Sequence, residues 1–258
     1  MTSTVLVKDV LWRVGDQLFD TNPQFSRWTQ RSLVNHMNDA QRVIAKFLPH
    51  SCARVDAIKL VPGTKQSIAA IPAAQIVNGD GTTSADLRGY RLLDLIRNLG
   101  ADGATPGNAV RPGDRKTLDV ADPAWHTRTA KSVSQVFYDP QSPKVFYVYP
   151  GVDPTTPMWV EVSWLPDPLD IPVGTLGTEY VVTGTDITKL SVDDRNVDDV
   201  VNYILARAEL RDAEFAGSLQ VAGSYAASFV SSINTQAVAF GLPNPKLTSL
   251  PLVAQAPQ

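Results

Sequence analysis

Apolar residues recur at three- and four-residue spacing near both ends of the chain and at two-residue spacing through its middle, so helices are expected to flank a strand-rich segment. Val7, Val10, Leu11, Val14 and Leu18 mark one face of a first helix, which stops at the turn-like Asp20-Thr21-Asn22-Pro23. A second helix has Thr29 as its cap, Trp28 positioned to staple onto Leu33, and a stripe of Leu33, Met37, Ala40, Ile44 and Phe47. Pro49 ends it. Towards the other end, Ser191 followed by Asp194 has the form of a capping box, and Val197, Val200, Val201, Ile204, Leu205 and Ala208 carry an apolar face on to about Phe215. Gly217 interrupts that pattern, and Leu219, Ala222, Ala226, Phe229 and Ile233 give a fourth helix that ends before Gly241. No pair of stripes can be buried alone. The expectation is therefore a four-helix bundle built from both chain ends, residues 1–53 with residues 187–240.

Residues 54–186 carry a different period. Segments 133–138, 144–149 and 158–165 are short, rich in Val, Phe, Tyr and Trp, and separated by Asp139-Pro140-Gln141-Ser142-Pro143 and Gly151-Val152-Asp153-Pro154. Val160, Val162 and Trp164 alternate with Trp159, Glu161 and Ser163, as in an antiparallel sheet with one buried face. Residues 55–61 read as a further strand and 180–183 as a weaker one, while 92–99 read as a helical piece closed by Gly100 and 100–122 as a long loop. The fold class expected is α+β, the terminal bundle holding an inserted antiparallel β-rich sandwich or barrel. Residues 241–258 contain four prolines among apolar residues, which predicts an extended Pro-rich tail that docks on a partner through Leu242, Leu247, Leu250, Leu252 and Val253.

Composition narrows the function. The 258 residues are 43% hydrophobic and 19% charged, enough apolar material for a sizeable core. No run approaches the ~18 apolar residues of a membrane span, and the first residues lack a signal-peptide pattern, so a soluble protein of a cytosol is expected. Lys and Arg number 23 against 26 Asp and Glu, a net charge of -3 with no basic run, which disfavours tight nucleic-acid binding. Cys52 is the one cysteine, leaving no internal disulfide and no thiolate metal cage.

The search for chemistry returns little. His36, His50 and His126 lack metal-pair spacing. His126 with Asp119 and Asp122 reads as a turn rather than an acid–base pair, and Cys52 as a buried thiol. The glycine-rich stretch 100–107 lacks the Lys-Ser/Thr pair of a phosphate loop. Asp193, Asp194, Asp198 and Asp199 suit the positive end of a helix dipole better than a metal loop. Phe137, Tyr138, Phe146, Tyr147, Tyr149, Trp159 and Trp164 could include a stacking platform for a sugar, although alternation turns only every second one outward. No catalytic, metal or cofactor residue is expected, and no enzyme.

Three stretches, VFYDPQSPKVFYVYPGVDP, WVEVSWLPDPLDI and SVDDRNVDDVVNYILARAELRDAEFAG, resemble the head-to-tail adaptor (connector) proteins of short-tailed bacteriophages. The resemblance takes in residues 7–17 and 28–48, 91–100 followed by 111–115, the Tyr-Asp-Pro hairpin, and Tyr203, Arg207, Asp212 and Glu214. It implies a structural protein that forms a homo-oligomeric ring, usually of twelve, beneath the portal, joining capsid to tail and continuing the DNA channel. The implied partners are the portal protein, reached through the apolar tail residues, and downstream nozzle or fibre proteins; no membrane is involved. DNA would pass the lumen without specific binding, since twelve copies carry roughly -36 in total. The implied location is the virion tail or neck, after assembly in the host cytoplasm. The alternative is a β-sandwich receptor- or glycan-binding module of a virion.

Overall fold

The computed structural model describes residues 3–20, 27–78, 86–139, 141–175, 178–179, 187–211 and 216–240. The chain forms two compact units, Met1–Cys52 with Pro168–Gln258, and Ala53–Asp167. Its helices are α1 Val7–Gln17, α2 Gln30–Phe47, α3 Arg115–Ala121, α4 Val197–Arg211 and α5 Ala216–Ala239. The strands are β1 Arg54–Lys59, β2 Gly63–Ser67, β3 Ile76–Asn78, β4 Gly89–Asn98, β5 Arg111–Pro112, β6 Thr129–Ala130, β7 Gln135–Tyr138, β8 Val145–Val152 and β9 Trp159–Pro166. A two-residue pair, β10 Gly174–Thr175 and β11 Thr178–Glu179, stands apart. No helix among the described residues is long and apolar enough to cross a membrane.

Helices from both chain ends share one core, with Val10, Leu11, Val14, Met37, Ile44, Ile204 and Phe229 within it, but they do not make the four-helix bundle expected from the stripes. The five helices are unequal and the β-rich unit dominates the fold. α4 is a hub that packs on α5, α2 and α1, whereas no comparable α1–α5 contact closes a ring of four. At 11 residues α1 spans about 16 Å, less than half of the 24-residue α5. Irregular segments fill the remaining core: Ile171, Leu190 and Val192 are buried there. Buried amides hold those segments in place. Asn38 donates from Nδ2 to the Ile171 carbonyl and accepts the Ile171 N–H, both at 2.9 Å, and Gln41 accepts the Ser191 N–H at 2.7 Å. For this reason the chain rejoins the helical unit at Pro168 and not at residue 187.

The β unit is two sheets over a common core. One runs β3-β1-β9-β4 and the other β2-β8-β7-β5, with β6 on β8. The first is antiparallel throughout, but β5–β7 and β6–β8 are parallel pairs, so the insertion is not the wholly antiparallel domain expected. Ile58, Leu95, Val160, Val162 and Trp164 from the first sheet meet Val136, Phe146, Val148 and Val152 from the second. The alternation along β9 is as read: Val160, Val162 and Trp164 are buried, while Trp159, Glu161 and Ser163 are half-buried. Asp139 turns the β7–β8 hairpin by accepting the Gln141 N–H on its side chain and the Ser142 N–H on its carbonyl, both at 2.9 Å.

Three local readings are corrected. Residues 92–98 are not helical but the greater part of strand β4, paired with β9. The long loop of 100–122 holds β5 and α3, the latter capped by Asp114 accepting the Lys116 and Thr117 N–H groups. Ser191 is no capping-box residue: its hydroxyl bonds to Leu169, and Asp193 caps the 3-10 turn Asp194–Asn196 that leads into α4. The weak strand at 180–183 lies outside the described residues.

Candidate functional site

The five residues assigned to portal binding, Leu242, Leu247, Leu250, Leu252 and Val253, lie outside the described residues, as do Asp212 and Glu214. The structure does describe the helix from which they depart. α5 is 24 residues long and contains no Asp, Glu, Lys, Arg or His. Ala222, Ala226, Phe229 and Ile233 face the core; Leu219, expected in that stripe, is 57% exposed in the first turn, and the opposite side carries Val238, 73% exposed, among exposed Gln220, Ser224, Ser228, Ser231 and Thr235. One buried polar knot fastens it to α4. Asp199 accepts from Gln236 Nε2 at 2.9 Å and Asn196 Nδ2 at 3.2 Å, and Asn196 also donates to Gln236 Oε1 at 2.9 Å. At its exit, Phe240 meets the ring of His50 with centroids 3.9 Å apart. His50 Nδ1 is buried without a hydrogen-bond partner among the described residues, and burial followed by the Arg195 charge lowers the His50 pKa against the raising effect of Asp193.

Sequence reasoning missed a second apolar feature of the same unit. Phe19 has a left-handed backbone, φ 53°, and a side chain that is 93% exposed. It closes α1 through bonds from its N–H to the Asp16 carbonyl and from the Asp20 N–H to the Gly15 carbonyl, positions at which glycine is the usual occupant. The available signal was an aromatic residue one step past the end of a stripe, where glycine or a polar residue is expected.

The aromatic set in the β unit divides. Phe146 and Trp164 are core, and Phe137 is buried. Tyr147 and Tyr149 lie half-buried on the other face of β8, around Trp125, which is fully buried. Trp125 stacks on His126 at 3.7 Å, meets Tyr147 and Tyr149 edge-on, and donates from Nε1 to Asp119 at 2.7 Å. Its rings are spent on one another, which leaves Tyr147 and Tyr149 as half-covered stacking surfaces. The residues considered for acid–base work do not converge: Asp119 takes the indole, Asp122 pairs with Arg128, and His126 Nδ1 lies 3.0 Å from the Thr64 hydroxyl.

The remaining sequence candidates have structural partners. Asp102 accepts bonds from Ala104 N, Thr105 N and Thr105 Oγ1, which lower its pKa to about 2 and consume the turn's own N–H groups. Gly103 has φ 73°, and a Cβ there would lie 3.0 Å from the Trp159 ring, so glycine is required by a turn and a close approach and not by a phosphate. Asp194 does more than complement a dipole. Its carboxylate accepts from Ser3 Oγ and Thr4 Oγ1, each at 2.5 Å, and from Thr4 N at 3.0 Å, fastening the start of the chain to the entrance of α4. Asp198 pairs with Arg13 of α1 at 2.7 Å, and Cys52 is buried. No group of three or more potential metal ligands occurs among the described residues. No known protein family matches the chain, and no curated protein matches it significantly.

Proposed function

We propose that this protein is a structural head-to-tail adaptor of a phage virion, a ring of copies beneath the portal that joins capsid to tail and continues the DNA channel. The observation that supports this reading is α5. This 24-residue helix carries no ionic side chain, and its exposed residues are small or uncharged with Leu219, Val221 and Val238 among them, a surface that suits close packing against another protein. Phe19, exposed on a backbone conformation that costs free energy, adds a second apolar feature to the same unit. A head-to-tail contact made once per subunit closes into a ring when its rotation closes, and needs one pair of complementary surfaces and no symmetry axis at the contact. Residues 241–258 follow α5 directly and supply apolar anchors for the portal.

The test is assembly. The full chain, alone and with isolated portal rings, is examined by mass photometry and electron microscopy. A twelve-fold ring of roughly 340 kDa, from copies of 28.0 kDa, seated on the portal is the expected result. Removal of residues 241–258 should abolish seating with little change in thermal stability. A full chain that stays monomeric and unattached with portal rings present would overturn the proposal.

A further inference from the structure

Alternation along β8 puts Phe146 and Val148 in the core and turns Tyr147 and Tyr149 to the other face of the sheet. There they meet His126 around one buried indole. Trp125 touches Tyr147 and Tyr149 edge-on, with centroids 6.2 and 6.3 Å away, and carries His126 stacked on its face at 3.7 Å. His126 in turn meets Tyr147 edge-on at 6.1 Å. The rings are fixed from beneath, since the indole donates to Asp119 at 2.7 Å and the Thr64 hydroxyl lies 3.0 Å from His126 Nδ1. Their outer parts are open: His126 is exposed and both tyrosines are half-buried. Neither tyrosine hydroxyl nor His126 Nε2 has a hydrogen-bond partner among the described residues. Cations border the same rings. The Arg115 guanidinium is 5.7 Å from the Tyr147 centroid, and Lys65 stands directly across from Tyr147 in the β2–β8 pair. Arg115 makes no hydrogen bond among the described residues; its ion-pair partner Asp119 is 3.8 Å away and already takes the indole. The other acids of this segment are engaged, Asp114 as the cap of α3 and Asp122 with Arg128.

We propose that His126, Tyr147 and Tyr149, bordered by Arg115 and Lys65, form a binding site for an acidic saccharide, a sugar that carries a carboxylate. Open aromatic surface covers the C–H face of a sugar ring, and the tyrosine hydroxyls and His126 Nε2 are left to meet its hydroxyls. A guanidinium with unspent donors matches a planar carboxylate, and Lys65 adds a second positive charge beside the same tyrosine. The platform is small: two residues apart on one strand, the tyrosines span about 7 Å, the size of one or two sugar rings. A nucleic-acid strand needs a longer track, about four nucleotides or more. Rings already locked by Trp125 also lose little freedom when a ligand binds. The site stands independently of the adaptor reading.

His126 reports on occupancy, because it is the one histidine in the platform. The experiment follows the histidine C2–H signals of the full chain by NMR, assigned with His36→Gln and His50→Gln. The probes are tri-galacturonate, sialyllactose, the neutral maltotriose and a short oligothymidylate, each titrated to millimolar concentration at fixed pH and ionic strength. The two acidic saccharides should move the His126 signal and leave those of His36 and His50 in place, with maltotriose weaker by about tenfold or more. Arg115→Gln, at the exposed start of α3, should remove that preference while leaving maltotriose binding unchanged. Tyr147→Leu should weaken every saccharide on the order of tenfold, whereas Tyr147→Phe, which keeps the ring, should retain most of the binding. A His126 signal that neither acidic saccharide moves would overturn the site. Maltotriose binding as tightly as the acidic saccharides, or an acidic preference that survives Arg115→Gln, would overturn the carboxylate assignment. Tighter binding of oligothymidylate would replace the sugar with a nucleic acid.

Discussion

Phe19 offers a test in which stability and assembly move in opposite directions. Its φ of 53° places an L-residue in the left-handed region, at a cost of roughly 1–2 kcal/mol. Glycine removes that cost but gives the unfolded chain extra freedom, worth about 0.4–1 kcal/mol against the fold. Loss of the ring subtracts almost nothing, since the side chain is 93% exposed in the subunit. Phe19→Gly should therefore leave the isolated subunit unchanged or more stable by up to about 1.6 kcal/mol. Phe19→Ala keeps the strained backbone while losing the ring, and should stay within about 0.5 kcal/mol of the parent. Urea unfolding of dilute subunit reads the first quantity, and mass photometry with portal rings reads the second. If the exposed ring is an assembly anchor, both variants assemble more weakly although neither is less stable. A loss above about 1 kcal/mol in Phe19→Ala would show that the ring packs within the subunit, and unaltered assembly in both variants would remove Phe19 from the interface.

Other sites separate the structural roles. Asn98 is buried and bonds to the Asn108 and Val133 carbonyls and to the Val133 N–H, all at 2.9 Å, so Asn98→Ala should cost about 2–4 kcal/mol in urea unfolding of the β unit. Gly89→Ala would set a Cβ 2.6 Å from the Ile68 carbonyl oxygen and should cost about 1–3 kcal/mol by the same measure. Gly223 has open space at its Cβ position within α5, so Gly223→Ala should stabilise the subunit by about 0.5–1 kcal/mol while reducing ring formation seen by mass photometry. Bonds from Ser3 and Thr4 hold the Asp194 carboxyl below its ordinary pKa. That contribution is fully present above the unfolded value and disappears as pH falls through the lower folded one; Asp194→Asn should lower the melting temperature at neutral pH and flatten its fall below about pH 4.

The sequence period was informative wherever one face of an element is buried and the other is not. The stripes of α1, α2, α4 and α5 and the alternation of β9 are of that kind, because burial alone selects the apolar positions. Arrangement was not legible in the same way. Four stripes are compatible with a bundle, but Ile171, Leu190 and Val192 bring irregular chain into the core through the side chains of Asn38 and Gln41, and no periodicity announces an amide that binds backbone more than a hundred residues away. α3 is seven residues long and buries none of them, so it has no stripe; its trace is the cap at Asp114 followed by Thr117. At the candidate site, the absence of charge along α5 could be read directly, whereas the exposure of Phe19 depends on where the chain goes after α1.

Strand β4 shows how the period itself can mislead, and the cause bears on assembly. Its buried positions are Gly89, Leu92, Leu95 and Asn98, one in three, close enough to helical spacing to imitate it. Pairing with β9 shifts between Gly89 and Arg91, between Leu92 and Asp94, and between Leu95 and Arg97, so the 10 residues of β4 are set against the shorter stretch 160–166. Each shift adds a residue on the β4 side and turns a two-residue repeat into a three-residue one. Such irregularity also alters the strand as an edge. A long flat edge strand presents an even row of N–H and C=O groups to any passing strand, whereas repeated bulges spoil the register that pairing requires. At the Asn98 end the edge is further occupied, since Asn98 and Ile96 bond to Asn108 and Val110. β4 is thus built against adding a strand from a second copy. In the ring proposed above, contacts between copies would then avoid this sheet edge and use surfaces without ionic side chains, of which α5 is the longest helix among the described residues.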